Sequence, residues 1–451
     1  MPSRREFLIT GLGAGAELLL VSELPAQAAS EIGQIKGATA ITQVFGDGVR
    51  LTAVAVAYDE PVKSIGMSPA SYSVEGRTVT SVFTSTSANP ADRADEGQFV
   101  IISLSPDDAN AALVEKLQPK SGDGTPPSGS GLGEGPGNAG DIPVYDTIYR
   151  PAEAIIVQLG PVREANGDVF PATKDKLATT RVDNLIVDDF RQLVFDDPTT
   201  GRTLKYNLFI PKRSDANKSY PLVLFMHDAG ATSDVTRTTL LQGLGAVIWA
   251  SPDDQAQRPC FVLAPQYEEI IADDASHTSS MLDTTIDLIK QLETEYSIDR
   301  NRLYATGQSG GCMMAIAMNI KYPDFFAASF LVAGQWDPAL VKPLAKKKLW
   351  ILVSQDDDKA YPGENAITGV LEKDGAKISR AIWDGTWNAD EFRAAFQKID
   401  AQGSPINYVA FKKGTVIPVG QSTAGASGHR NTWRIAYTIE PIREWIFRPN
   451  G

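Results

Sequence analysis

The stretch Gly307-Gln308-Ser309-Gly310-Gly311 constrains this chain more than any other. It lies between Arg302-Leu303-Tyr304-Ala305-Thr306, which has the length and residue types of a buried strand, and a Met-, Ala- and Ile-rich run from Cys312 to Tyr322 that Pro323 stops. Strand, sharp turn and helix in that order form the context in which a G-x-S-x-G serine sits exposed at the tip of a strained turn. The glycines on either side are required because a Cβ there would strike the neighbouring strand or helix. The helix N-terminus beneath the serine favours developing negative charge. A chain with such an elbow needs a largely parallel sheet around it.

The remaining pattern divides in two. Ala40 to Phe45, Val49 to Ala57, Thr78 to Thr84, Phe99 to Leu104 and Ala154 to Leu159 are short β-type runs separated by turns such as Gly46-Asp47-Gly48. Several alternate apolar and polar residues, which suits a sandwich with one wet face, and an Ig-like sandwich without a disulfide is expected over residues 31–182. Ser121 to Gly140 holds eight glycines and three prolines and is expected to be a mobile loop inside that domain. From residue 183 strands alternate with helices. Arg191 to Phe195 and Leu204 to Ile210 read as an antiparallel pair. Leu222 to Met226, Phe261 to Ala264, Leu303 to Thr306, Ala327 to Val332, Leu349 to Val353 and Tyr408 to Phe411 read as a parallel sheet. Leu282, Ile286, Ile289, Leu292 and Tyr296 mark an amphipathic helix before the elbow strand.

Residues 1–28 resemble a twin-arginine export signal: Ser3-Arg4-Arg5-Glu6-Phe7-Leu8, an apolar stretch from Ile9 to Val21, and an A-x-A site at Ala26-Gln27-Ala28. The expected destination is the periplasm or the cell exterior, with no membrane anchor. The formal charge of −13 repels phosphate backbones and anionic lipid, so nucleic acid and membrane surfaces are excluded as partners. Cys260 and Cys312 both fall in apolar segments and are expected to be buried free thiols. Their spacing offers no metal site.

A serine hydroxyl needs a base, usually a histidine held by a carboxylate. Of His227, His277 and His429, one alone follows Ser309, so His429 is the expected base. The acid is expected just after the strand Trp350 to Ser354, where Asp356, Asp357 and Asp358 stand together; Asp358 is the first choice and Asp356 the second. The oxyanion donors are expected to be the N–H of Gly310 and one from His227-Asp228-Ala229-Gly230, Ala229 first and Asp228 as alternative. His227 reads as a buried organiser of that loop and His277 as a solvent-facing or rim residue. Gln308, Gln335 and Trp336 are candidates for the substrate pocket, and Trp383 and Trp387 divide between pocket and core.

Tyr220 to Gly230, Ala264-Pro265-Gln266, Ile298 to Tyr304, Gly307 to Gly311 and His429-Arg430-Asn431-Thr432-Trp433 together resemble the two-domain bacterial carboxylesterases. Those enzymes carry an esterase-type Ig-like domain before an α/β-hydrolase domain of the polyhydroxybutyrate-depolymerase and feruloyl-esterase-like branch. His227-Asp228-Ala229-Gly230 is similar to their H-G-x-G element, with Asp228 where glycine is usual. Asp358 followed by Pro362 resembles their acid and the proline four residues on. The resemblance implies ester hydrolysis through an acyl-enzyme by Ser309, His429 and Asp358, without metal or organic cofactor. It also suggests that the sandwich aids assembly or shapes the active-site entrance. Short acyl esters, feruloyl esters and polyester fragments all remain open as substrates. A serine peptidase or polyester depolymerase with the same triad, and a secreted binding protein on an inactive hydrolase fold, are the competing readings. Exposed strand edges of an Ig-like domain also offer a surface for homo-oligomers.

Overall fold

The computed structural model describes residues 35–116, 137–142, 147–212, 215 and 218–448. The expected export signal lies outside these residues, as does all of the Gly/Pro-rich insert except its last few positions. The first part is all β. Ile35–Phe45 and Gly48–Lys63 form a long antiparallel hairpin, joined by Glu96–Leu104, Val79–Ser85 and shorter strands into a seven-stranded sheet. A three-stranded sheet of Tyr72–Val74, Ile155–Gln158 and Leu177–Ala178 packs against it. Alternation along the hairpin places Ala38, Ala40, Val54 and Val56 on the inner face with Tyr72 and Ile156. Ile41, Ala53, Ala55, Phe83 and Ile101 form a smaller apolar cluster on the other face. Arg181–Asn184 still pairs with Ile35–Phe45, so this sheet runs two residues past the expected boundary at 182.

The second part is a nine-stranded sheet in the spatial order Arg191–Asp196, Thr203–Phe209, Phe261–Gln266, Tyr220–Met226, Ile298–Gln308, Ala328–Val332, Leu349–Ser354, Ile406–Phe411 and Ile378–Trp383. Thr203–Phe209 runs antiparallel to both of its neighbours, and every pairing from Phe261–Gln266 onward is parallel. The edge strand Ile378–Trp383 has no counterpart in the sequence expectations. Its burial alternates, with Ile382 facing solvent, so it lacks the continuous apolar run that marks the inner strands. Tyr220–Met226 is buried along its whole length, as helices covering both faces of a parallel sheet require. Trp383 packs against Trp350 and Phe392 and belongs to the core.

The two parts share one continuous apolar core. The hairpin turn at Gly46 lies so close to the helix Ser427–Ala436 that a Cβ at Gly46 would fall 2.2 Å from the carbonyl oxygen of Arg434. Further on, the Gly140 N–H donates to the Ile270 carbonyl and the Ile270 N–H to the Asp141 carbonyl, at 2.8 and 3.1 Å. The first domain therefore grips both the helix that carries His429 and a loop of the second domain.

Candidate active site

Ser309 ends the strand Ile298–Gln308 and precedes the helix Gly310–Lys321 with φ 52° and ψ −121°, a conformation an L-residue adopts only under constraint. The constraint is visible on both sides. The Ser309 N–H donates to the Val332 carbonyl at 3.0 Å, and its carbonyl accepts from the Met313 N–H at 2.9 Å. A Cβ at Gly307 would lie 2.4 Å from the carbonyl carbon of Gly311, and one at Gly311 only 2.0 Å from the carbonyl oxygen of Met226. These glycines let the helix seat directly on the neighbouring strand, and the serine side chain is left at the tip.

His429 stands in the first turn of the helix Ser427–Ala436, with Trp433 one turn on meeting the imidazole at a ring separation of 4.9 Å. Its Nε2 lies 2.8 Å from Ser309 Oγ and its Nδ1 lies 2.5 Å from Asp357 Oδ2. A carboxylate only accepts, so the ring proton sits on Nδ1 and Nε2 is free to accept from the serine hydroxyl. The acid facing the histidine is therefore Asp357, which corrects the expectation of Asp358 and, second, Asp356. Asp358 is exposed. Asp356 turns away, its Oδ2 accepting from the Gly414 N–H at 2.7 Å. Asp357 is 3% exposed, and its Oδ1 accepts from the N–H groups of Lys359 and Ala360 at 3.2 and 2.8 Å, at the start of the helix Ala360–Lys373. These bonds fix the Asp357 carboxylate at the start of that helix, and no signal in the sequence separates it from its two neighbours, since each of the three aspartates precedes a helix-start N–H by three residues.

Opposite the serine, the loop after Tyr220–Met226 turns in a single 3-10 turn over Ala229–Ala231. The Ala229 N–H lies near Gly310, 3.8 Å from where a Cβ would stand there. Neither the Ala229 nor the Gly310 N–H has an acceptor among the described residues. His227 is fully buried. Its Nε2 accepts from the Tyr267 N–H at 3.0 Å, so its Nδ1 carries the proton and donates to the Asp228 carbonyl at 2.7 Å. Burial pulls its pKa down, and the neutral ring ties this loop to the adjacent strand. His277 is solvent-facing and bonds Asp273 at 3.3 Å.

A cleft of about 420 Å³ opens beside Asp228 and Gly230, walled by Trp433 and Asn431 and, from the first domain, by Gly46, Asp47 and Tyr149. Gln335 and Trp336 do not line it. Gln335 donates to Asp274 at 2.6 Å and Trp336 is buried. Gln308 is 1% exposed and turns toward Asp228 rather than into the cleft. Sequence reasoning also missed Glu364. It is fully buried with no hydrogen-bond partner on either carboxyl oxygen among the described residues, and burial, then the Asp357 charge, push its pKa well above the ordinary carboxylate range. No cluster of three or more potential metal ligands occurs among the described residues, and no helix among them is long and apolar enough to cross a membrane.

With this geometry in hand, residues 37–171 match the family of esterase Ig-like N-terminal domains. The fold is similar to that of a thermostable esterase of known structure, at a TM-score of 0.72 and 24% identity, covering 92% of this chain and 99% of that one. The feruloyl esterase module of Clostridium thermocellum complexed with sinapinate overlaps 55% of this chain and 87% of its own, at 12% identity and a TM-score of 0.35. A putative dipeptidyl aminopeptidase IV from Bacteroides ovatus overlaps 66% of this chain and 40% of its own, at 12% identity and a TM-score of 0.39. No curated protein matches the chain in a sequence comparison.

Proposed function

We propose that this chain is an exported serine carboxylesterase whose second domain is an α/β-hydrolase. The observation that carries the reading is the continuous hydrogen-bond line from Asp357 through His429 to Ser309, at 2.5 and 2.8 Å. In the reaction, His429 Nε2 takes the hydroxyl proton as Ser309 Oγ attacks the ester carbonyl. Asp357 stabilises the imidazolium that forms. The N–H groups of Gly310 and Ala229 receive the oxyanion. Collapse of the tetrahedral adduct passes the proton from His429 to the leaving alcohol and leaves Ser309 acylated. Water, deprotonated by the same imidazole, then attacks the acyl-enzyme and returns the serine.

The likeness to the thermostable esterase and the match of residues 37–171 to an esterase domain favour esters over peptides. The Arg4-Arg5 pair, the apolar stretch and the A-x-A site favour export as a folded protein. The test is hydrolysis of p-nitrophenyl esters from acetate to laurate, beside a peptide anilide, by wild type and Ser309→Ala. Turnover of esters that vanishes in the variant is expected. A wild type that cleaves the anilide and no ester would move the assignment to a peptidase, and Ser309→Ala with full activity would remove the triad.

A further inference from the structure

Asp228 stands where its loop needs only a turn, yet both of its carboxylate oxygens are engaged. Oδ1 accepts from the Gly230 N–H at 2.9 Å, closing the turn that contains Ala229, and Oδ2 accepts from Gln308 Nε2 at 2.9 Å. Gln308 is the residue before the nucleophile, and its amide nitrogen also reaches Gln242 Oε1 at 3.3 Å. The backbones of Tyr220–Met226 and Ile298–Gln308 pair as far as Met226 and Gly307 and then part. The Asp228–Gln308 contact bridges the two strand ends just beyond the point where backbone pairing stops. Between them stand two N–H groups that have no acceptor among the described residues, those of Ala229 and Gly310. The peptide that presents the Ala229 N–H is held through its own carbonyl, that of Asp228, which accepts from His227 Nδ1 at 2.7 Å and the Ala231 N–H at 3.1 Å, and the next carbonyl, that of Ala229, accepts from Thr232 Oγ1 at 2.7 Å.

The geometry points to Asp228 and Gln308 as a pair of positioning residues that clamp the oxyanion loop to the nucleophile elbow and set where the Ala229 N–H aims. Neither side chain touches the substrate carbonyl in this role. Gln308 sets the register of the loop, which is why it is buried and turned from the cleft. Asp228 brings a negative charge near the site of a developing oxyanion, and the donors on its two oxygens offset that charge. The pair acts on the transition state and not on ground-state binding, because only the charged oxygen of the tetrahedral adduct draws fully on the Ala229 donor.

The inference rests on the triad reading above, and kcat and KM for a p-nitrophenyl ester test it. Asp228→Ala and Gln308→Ala are each expected to lower kcat by about tenfold to a hundredfold, the scale of a misplaced oxyanion donor, with KM nearly unchanged. Together they should cost no more than the larger single loss, since they remove one clamp. Gln308→Glu sets two carboxylates face to face and should lose at least as much, and adding Asp228→Asn restores a donor and an acceptor and should recover most of the rate. Near-ultraviolet circular dichroism of the Gln308→Glu, Asp228→Asn pair guards against a fold that has simply collapsed. Unchanged kcat in Asp228→Ala, losses that multiply, a change confined to KM, or no recovery in the exchanged pair would each overturn the clamp. If wild type turns over no ester, the esterase reading falls alone, and the rate at which a fluorophosphonate labels Ser309 reads the same five variants. A wild type that takes up no label overturns the site and the clamp with it.

Discussion

Replacing Asp357 by Asn tests the arrangement most directly, because it keeps the shape and changes one proton. Oδ1 of Asp357 holds two helix N–H groups, at 2.8 and 3.2 Å, and Oδ2 holds the imidazole. An Asn side chain has one oxygen to give. Turned toward the imidazole, it would set its NH2 against both helix N–H groups, leaving buried donors unsatisfied at about 1–3 kcal/mol each. Turned toward the helix, it keeps those bonds and presents NH2 to His429 Nδ1. The ring answers at small cost by moving its proton to Nε2, which then points an N–H at Ser309 Oγ and can no longer accept. The expected result is an intact fold with kcat for p-nitrophenyl acetate lower by about ten-thousand-fold. That is about 5 kcal/mol of lost transition-state stabilisation. Asp358→Asn, on an exposed side chain, should remain within about twofold, the scale of a surface change. An Asp357→Asn enzyme within tenfold of wild type, or an Asp358→Asn enzyme that falls as far, would refute the assignment.

Three further outcomes follow from the same geometry. Gly311→Ala drives a Cβ into the Met226 and His227 carbonyls, a backbone clash that should cost about 3 kcal/mol or more and shows as a large drop in melting temperature or as insoluble protein. Glu364→Gln should become more stable than wild type as pH rises. The unfolded side chain ionises near 4.5 while burial holds the folded one protonated well above that, so wild type loses stability from there up to the folded pKa and the amide does not. Melting curves from about pH 4 to about pH 8 should show the gap opening, and parallel curves would mean Glu364 is not kept protonated. Cys260 and Cys312 are buried and unpaired, and burial pushes the Cys260 thiol up to about 12. Neither should react with a thiol reagent until the protein is denatured, and fast labelling of the native protein would contradict their placement.

Ser309 and His429 were legible because each is set by a local pattern and by chain order, which survive without coordinates. The parallel sheet was legible for the same reason, since its inner strands are continuous apolar runs. The acid was not. Three adjacent aspartates share composition, charge and neighbourhood, and what distinguishes them is the direction each side chain takes where the helix Ala360–Lys373 begins. The proline spacing at Pro362 points one residue too far, and the bond from the Ala360 N–H to Asp357 Oδ1 that orients the acid exists only in three dimensions. Ile378–Trp383 escaped because an edge strand is wetted on one face. The cleft beside Asp228 could not be read at all, since its walls are more than 350 residues apart in sequence at Gly46 and Arg434.

The grip of the first domain on the second bears on how such enzymes can be recombined. A crossover at the linker 185–190 looks natural on paper, because strands of the sandwich end before it and strands of the larger sheet begin after it. Yet His429, the proposed general base, rides on a helix whose carbonyl at Arg434 abuts Gly46, and residues 140–141 splint the loop at Ile270. A chimera that inherits only the larger domain therefore inherits a histidine with one of its supports missing. Lineages sharing this layout are expected to drift as a matched pair, with changes at the sandwich turn answered on the histidine helix and not absorbed within either domain alone.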